Sequence, residues 1–437
     1  MKNNRIVQYV LFLFVFLSIA LTLYSFLSVP KLEIELNAKK EDQVRIETFL
    51  NSYPSNKVIN FIADNVIKLK DVKVTDGQFS TYKTEEGFEI LSDSKYWDVK
   101  KLEALYKELK LNKHGEEFEL LYKVIVYAER DSVAAGSHQK NDTQLYLNLD
   151  FPAFPFEYKI EYTRNMGTIV LYDGDNNRSV QDFAHVLSHE YGHHFTNYYI
   201  FKDNEYENTE YEKIRNIQDY EIYYDNQTDY NHYLDHHKWY IAEIAAEDYV
   251  QLMGSPMTKN VYRYNDVMQR LYNSNYVYKS ESYNGSIQEN MYIPFAGEVN
   301  GLKDYFHQFL DLKTEESIYT KKDLSLSITQ GNSYHESTQG PLTFTHYRIT
   351  WNDVYKNEGA IYTLIYIDED DESTFAIKTV YPNETTQAYI GTVSYETSTL
   401  IRWNYDKIDQ GTKTFILSVL LPDGTLYQSN PLVYRFK

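Results

Sequence analysis

The segment Ser179-Val180-Gln181-Asp182-Phe183-Ala184-His185-Val186-Leu187-Ser188-His189-Glu190-Tyr191-Gly192-His193-His194-Phe195 carries three patterns at once. Ser179 and Asp182, three apart, form a capping-box pattern that starts a helix. Phe183, Leu187 and Phe195 recur at helical spacing and supply a core-facing stripe. His189-Glu190-Tyr191-Gly192-His193 is an H-E-x-x-H arrangement. Residues four apart share a helix face, so both imidazoles can approach one Zn2+ while Glu190 reaches a water beside it. The spacing predicts one helix from Val180 to about Tyr199, entered from a strand over Thr168 to Tyr172 through the turn Asp173 to Asn177.

Working outward, apolar residues at helical spacing predict two helices between Glu41 and Leu69, broken at Pro54, and another over Tyr96 to Leu111. Short period-two runs at Tyr122 to Ala128, Gln144 to Leu149 and Tyr158 to Tyr162, punctuated by Gly136, Pro152, Pro155 and Gly174, predict a small sheet. Asp203 to Asp235, crowded with Tyr, Asn, Asp and Glu, reads as an irregular insertion. A further helix is expected from about Trp239 to Met253, stopped by Gly254-Ser255-Pro256. Beyond Lys322 the period returns to two. Runs at 324–328, 343–351, 362–367, 375–380, 388–394, 400–404, 415–421 and 432–436 predict an all-β sandwich over about 323–437.

The chain has 437 residues with a 43% hydrophobic fraction and 44 tyrosines, enough for sizeable cores in two or three domains. Its net charge of -20 would repel a phosphate backbone, which argues against nucleic acid as a partner. There is no cysteine, so metal ligands must be His, Asp or Glu, and stability outside the cytoplasm must come from the core. That suits a bacterial surface protein. At the N-terminus, Lys2 and Arg5 precede an uncharged, largely apolar stretch from Ile6 to Val29, long enough for a transmembrane helix. Basic residues before it and Glu33 and Glu35 after it place the N-terminus in the cytoplasm and the rest of the chain outside, anchored by a single pass through the cell membrane. Secretion after signal-peptide cleavage between Ser25 and Ser28 is the alternative.

A third metal ligand has to come from elsewhere, because Tyr199 stands where a third histidine six residues past His193 would fall. Glu243 and Glu247 are one helical turn apart on the later helix, where one carboxylate can bind metal and the other can hold a ligating histidine. Glu247 or Asp248 could exchange roles with Glu243. His232, His236 and His237 either decorate the metal site or sit in a solvated loop. His114, His138, His307, His335 and His346 carry no ligand spacing.

On these residues the chain resembles the gluzincin group of zinc metallopeptidases, through His189, Glu190 and His193 followed by Glu243-Ile244-Ala245-Ala246-Glu247. The stretch through Asp248, Tyr249, Leu252 and Met253 is similar to the corresponding helix of lethal-factor-type toxin peptidases. The resemblance covers about Tyr158 to Pro256. It implies an α+β zincin-like catalytic domain over 31–320, with His189, His193 and Glu243 as ligands, Glu247 as the outer partner and Zn2+ as cofactor. The expected reaction is hydrolysis of a peptide or protein substrate by a metal-activated water, with Glu190 as base and then acid. Tyr240, His236 or His237 would stabilise the oxyanion. An extended substrate would pair with a strand at Gln144 to Leu149 or Tyr158 to Tyr162. His346-Tyr347-Arg348-Ile349-Thr350-Trp351 and Tyr362-Thr363-Leu364-Ile365-Tyr366 resemble a fibronectin type III module, implying a spacer or binding module. The rival is a metal-binding surface adhesin that does not cleave, against which stands the retention of Glu190.

Overall fold

A computed structural model describes residues 79–132, 134–144, 147–148, 159–160, 163–202, 205–224, 233, 236–260, 262–263, 283–284, 286–337, 340–369, 372–395 and 411–436. The expected membrane segment, the helices between Glu41 and Leu69, His232 and the strand at 400–404 lie outside these. Among the described residues no helix is long and apolar enough to cross a membrane. The chain is a mixed α+β protein with small sheets and few helices.

The first sheet is formed by β1 (Ser80–Lys83), β2 (Glu89–Ser92), β3 (Leu121–Val126), β4 (Gly136–Gln144) and β5 (Thr163–Leu171), in the order β1-β2-β3-β5-β4. Gly136, which reads as punctuation in the sequence, instead opens the edge strand β4. Leu147–Asn148 and Lys159–Ile160 pair with each other rather than extending this sheet.

Contacts divide the chain into two compact units: Met1–Asp93 with Glu119–Ile125 and Gln139–Thr168, and Ser94–Phe118 with Val126–His138 and Ile169–Lys437. In the second unit, α1 (Val99–Leu111) is capped by the Asp98 carboxylate, which accepts from the Lys101 amide. The helix α2 (Val180–Tyr199) starts with the expected capping box between Ser179 and Asp182. It buries Phe183, Leu187, Tyr191 and Phe195 almost completely, each contributing about 1.5–3 kcal/mol by removal from water. α3 (Glu210–Arg215) follows, and then α4 (Ile241–Met253), entered through a 3-10 turn at His237–Trp239.

α2 and α4 cross closely because both are small at the contact: a Cβ added to Gly192 would lie 2.8 Å from the Ala246 carbonyl oxygen and 3.0 Å from its Cα. Gly254 ends α4, though not in a left-handed conformation: its φ is -67°. Its lack of a side chain matters because a Cβ there would meet the Val250 oxygen. The chain then re-enters a helix at once, α5 (Pro256–Lys259) capped by Ser255, and later forms α6 (Leu302–Gln308).

The C-terminal strands make two antiparallel sheets. β6 (Leu326–Ser337), β7 (Gly340–Trp351) and β10 (Gln387–Tyr395) form one, in the order β6-β7-β10. β8 (Ile361–Asp368), β9 (Thr374–Val380), β11 (Thr412–Leu420) and β12 (Leu426–Gln428) form the other, in the order β9-β8-β11-β12, with β13 (Leu432–Arg435) also on β11. They share a core: Ile349, Trp351, Ala388 and Ile390 of the first meet Tyr362, Leu364, Tyr366, Phe415, Leu417 and Val419 of the second. Alternate residues of the central strands face away from that core. Ile365 and Ile367 of β8 and Ile416 of β11 pack instead with Val250 of α4 and with Ile287, Met291 and Phe295. The central strands therefore read as nearly unbroken apolar runs because both of their faces are covered.

Candidate metal centre

Helix α2 presents His189 and His193 on one face, and α4 brings Glu243 opposite them across the Gly192–Ala246 contact. His189 Nε2 lies 3.1 Å from Glu243 Oε2 and 3.2 Å from His193 Nε2. His193 Nε2 is 3.3 Å from the same carboxylate oxygen. A tetrahedral zinc with nitrogen and oxygen ligands at about 2.0–2.1 Å has ligand–ligand edges of about 3.3–3.4 Å, so this triangle matches one face of such a site. Among the described residues these three side chains form the group able to hold a metal ion.

Glu247, one turn after Glu243, places Oε1 3.4 Å from His189 Nδ1 and Oε2 3.8 Å from His185 Nε2. A carboxylate on Nδ1 fixes the tautomer whose Nε2 lone pair faces the triangle. Two further partners could not be foreseen. The Tyr233 hydroxyl donates to Glu243 Oε1 at 2.6 Å, leaving Oε2 to face the histidines. Glu289 Oε2 lies 2.6 Å from His237 Nδ1, while His237 Nε2 lies 3.4 Å from Glu243 Oε2. Neither Tyr233 nor Glu289 stands in a periodic segment, and no spacing signal links them to the helices.

The electrostatics follow from enclosing acids and bases together. Burial would lower the His189 pKa, but Glu247 and Glu243 outweigh it and hold the ring well above its usual value. Burial would raise Glu243, yet His193, His189 and His237 hold it well below the ordinary carboxylate range. Glu247 is lowered in the same way, chiefly by His189 against the effect of burial. His237 loses to burial but gains more from Glu243 and Glu289, and is raised to about 9. Glu190 is only 6% exposed, and burial raises it despite the neighbouring His189 and His193. The start of edge strand β4 runs directly over this carboxyl: a Cβ on Gly136 would lie 2.8 Å from Glu190 Oε1 and 2.7 Å from Val186 Cγ1.

His189, Glu190, His193, Glu243 and Glu247 are thus brought together as the sequence implies. The two other candidates are not part of the triangle. His236 stacks on Tyr223, with centroids 4.8 Å apart, and its neighbour His237 turns to Glu243 instead. Tyr240 is buried at the start of α4, its ring packed against Tyr223 and Tyr233. His194 turns away from the triangle, its Nε2 meeting the Glu117 carbonyl at 2.8 Å; burial lowers it to about 4. His138, at the start of β4, lies beside the site with its ring 6.5 Å from that of His193.

No family model matches the chain, and no curated protein matches it. Among solved structures, a structural-genomics target determined by X-ray crystallography is similar over 26% of this chain and 86% of its own length, at 15% identity and a TM-score of 0.14. A Parabacteroides merdae β-glucuronidase with glycerol in its active site is similar over 26% of this chain and 14% of its own, at 11% identity and a TM-score of 0.16. Similarities this slight carry no argument about fold or activity.

Proposed function

We propose that this chain is a zinc-dependent endopeptidase of the gluzincin type. The observation that carries the reading is the triangle of His189 Nε2, His193 Nε2 and Glu243 Oε2, with edges of 3.1–3.3 Å and the buried Glu190 beside it. Its donor set of two imidazoles and one carboxylate suits Zn2+ and leaves a fourth position open. When bound there, Zn2+ supplies the Lewis acidity that lowers the pKa of a water to about 7 and polarises a carbonyl.

The chain's own residues do the rest. Glu190 accepts the water's proton and returns it to the leaving amine, a role that its upward-shifted pKa favours. His237, held at Nδ1 by Glu289, directs Nε2 toward the ligand cluster and can donate to the oxyanion as the carbonyl becomes tetrahedral. This role passes to His237 from His236 and Tyr240. Glu247 and Tyr233 orient His189 and Glu243. An extended peptide would pair with the open edge of β4, whose own backbone comes close to Glu190 at Gly136.

The test is digestion of a peptide library by the full-length chain, with zinc content measured beside it. Cleavage by the wild type that vanishes in Glu190→Gln while zinc is retained supports the reading. Zinc bound without cleavage of any peptide would favour the metal-binding adhesin. The same proposal extends to topology: residues 1–30 anchor the chain in the membrane, with the catalytic domain (31–320) and a fibronectin type III-like sandwich (323–437) outside. Protease added to intact cells would then degrade both, and a protected chain would reverse that topology.

A further inference from the structure

His237 does not lie within a regular helix. It sits in the 3-10 turn His237–Trp239 that leads into α4, and among the described residues that turn has no side-chain cap of its own. The Tyr223 amide donates to the Trp239 carbonyl at 3.0 Å, and a further hold comes from the C-terminal sheets. The Lys238 ammonium, whose side chain is 12% exposed, donates to the Glu372 main-chain carbonyl at 2.8 Å and pairs with Glu372 Oε2 at 2.9 Å. Lys238 also lies over the Tyr292 ring, 5.1 Å from its centroid, and its own carbonyl accepts from Asn290 Nδ2 at 3.1 Å. Glu372 thus meets the turn through two acceptors, and its carboxylate is held below its usual value first by the hydrogen bond from Lys238 and then by contacts with Lys238, Trp239 and His236.

The conformation of Glu372 is an independent sign. Its φ is +57°, in the left-handed region where glycine or asparagine is the ordinary occupant and a glutamate is disfavoured. A residue stays in that conformation when its surroundings over-determine it, and here both the side chain and the carbonyl of one residue are aimed at one ammonium. Behind this contact the sheet is firmly seated: Ile365, Ile367 and Ile416 pack on Ile287, Met291 and Phe295, the segment that contains Glu289. Gln428 adds an amide donated to Glu298 Oε2 at 3.2 Å. The two residues that set His237, its neighbour Lys238 in the same turn and the Nδ1 partner Glu289, are therefore both fastened to the sandwich.

We propose that Glu372, between β8 and β9, is a positioning residue of the catalytic site, clamping the His237–Trp239 turn through Lys238, so that the sandwich is a working part of the enzyme and not a spacer. Glu372 touches neither the metal triangle nor a substrate, and it acts by keeping His237 Nε2 aimed at the ligand cluster. The inference rests on the proposed function for its consequence in catalysis, while the clamp itself can be read without any substrate.

The experiment uses the full-length chain and the variants Glu372→Ala, Glu372→Gln, Lys238→Met and the double variant Glu372→Ala/Lys238→Met. Zinc content, kcat and KM on a fluorogenic peptide taken from the library digestion, and hydrogen exchange at the Tyr240 and Ile241 amides are measured together. Those amides donate to His237 O and Tyr223 O, so they report the turn directly. Expected for Glu372→Ala is a fall in kcat of about tenfold, the low end for an outer partner, with KM and zinc content unchanged and faster exchange confined to the turn. Glu372→Gln keeps an acceptor of the same shape and should recover most of the loss. Lys238→Met, which also loses the hydrogen bond to the Glu372 carbonyl, should fall at least as far as Glu372→Ala, and the double variant should be no worse than Lys238→Met, because the ammonium is the common partner of both acceptors.

Unchanged kcat and unchanged exchange in Glu372→Ala would overturn the clamp. Lost zinc with exchange raised throughout the sandwich would also overturn it, replacing positioning by a general structural role. If the wild type cleaves no peptide but the turn loosens in Glu372→Ala, the clamp stands and the peptidase reading fails.

Discussion

Gly192→Ala should weaken zinc binding more than it weakens the fold. The new Cβ would sit 2.8 Å from the Ala246 carbonyl oxygen, short of ordinary van der Waals contact at 3.4 Å, so α2 and α4 must part by about 0.6 Å. Overpacking of this kind costs about 1–3 kcal/mol. In folding, the helix preference of Ala over Gly returns about 1 kcal/mol, leaving a net loss of about 0–2 kcal/mol. Zinc binding has no such offset, because it starts from the folded chain. Two edges of the ligand triangle, at 3.1 and 3.3 Å, span the helix pair, whereas the 3.2 Å edge between the histidines lies within α2. Metal ligands tolerate about 0.2 Å of error. Closing the site then has to work against the whole strain, which corresponds to about 5- to 150-fold in affinity. The assay is a chelator-competition zinc titration beside urea unfolding of the metal-free chain. Gly297→Ala is the control, since a Cβ there meets nothing within 4 Å and should leave both measurements unchanged. Wild-type zinc affinity in Gly192→Ala would refute the argument that this contact sets the ligand geometry.

Other outcomes follow from the same centre. Glu243→Ala should empty the site and abolish cleavage together, whereas Glu247→Ala should lose about 10- to 100-fold in affinity and recover under saturating zinc; zinc content beside turnover decides, and the reverse pattern would exchange their roles. His237→Gln should lower kcat by about 10²–10³ with zinc content unchanged, and Glu289→Ala by less, if His237 stabilises the oxyanion; a change in KM alone would count against that role. In chelator, the metal-free chain should lose stability as pH rises through about 9. The raised pKa values of His189 and His237 mean that their ion pairs contribute fully below about 6.5 and are lost as those rings deprotonate. The lowered Glu243 and Glu247 act with the opposite sign, their contribution being lost on the acid side. Melting temperatures across pH 5–10 check this, and a His237→Gln profile as steep as that of wild type would contradict it.

The residues of α2 declared themselves because local rules govern them. A capping box, an apolar stripe and two histidines one turn apart each involve neighbours in one helix, so period and spacing suffice. Glu243 and Glu247 were legible for the same reason, and so were most of the C-terminal strands, where period two is a property of each strand alone. What the sequence could not decide is which local pieces meet. His236 and His237 are adjacent and chemically equal, and only the turn into α4 sends one to Tyr223 and the other to Glu243. Tyr233 and Glu289 join the site from positions without period, Glu289 from 52 residues beyond its partner His237. Gly136 looked like a turn and proved to be the opening of an edge strand lying over Glu190. The apolar runs of β8 and β11 signalled strands, but not that their second face would be covered by the segment carrying Glu289. Periodicity reports which face of an element avoids water; the partner that covers it is chosen by packing among distant segments, and that choice exists only in the folded chain.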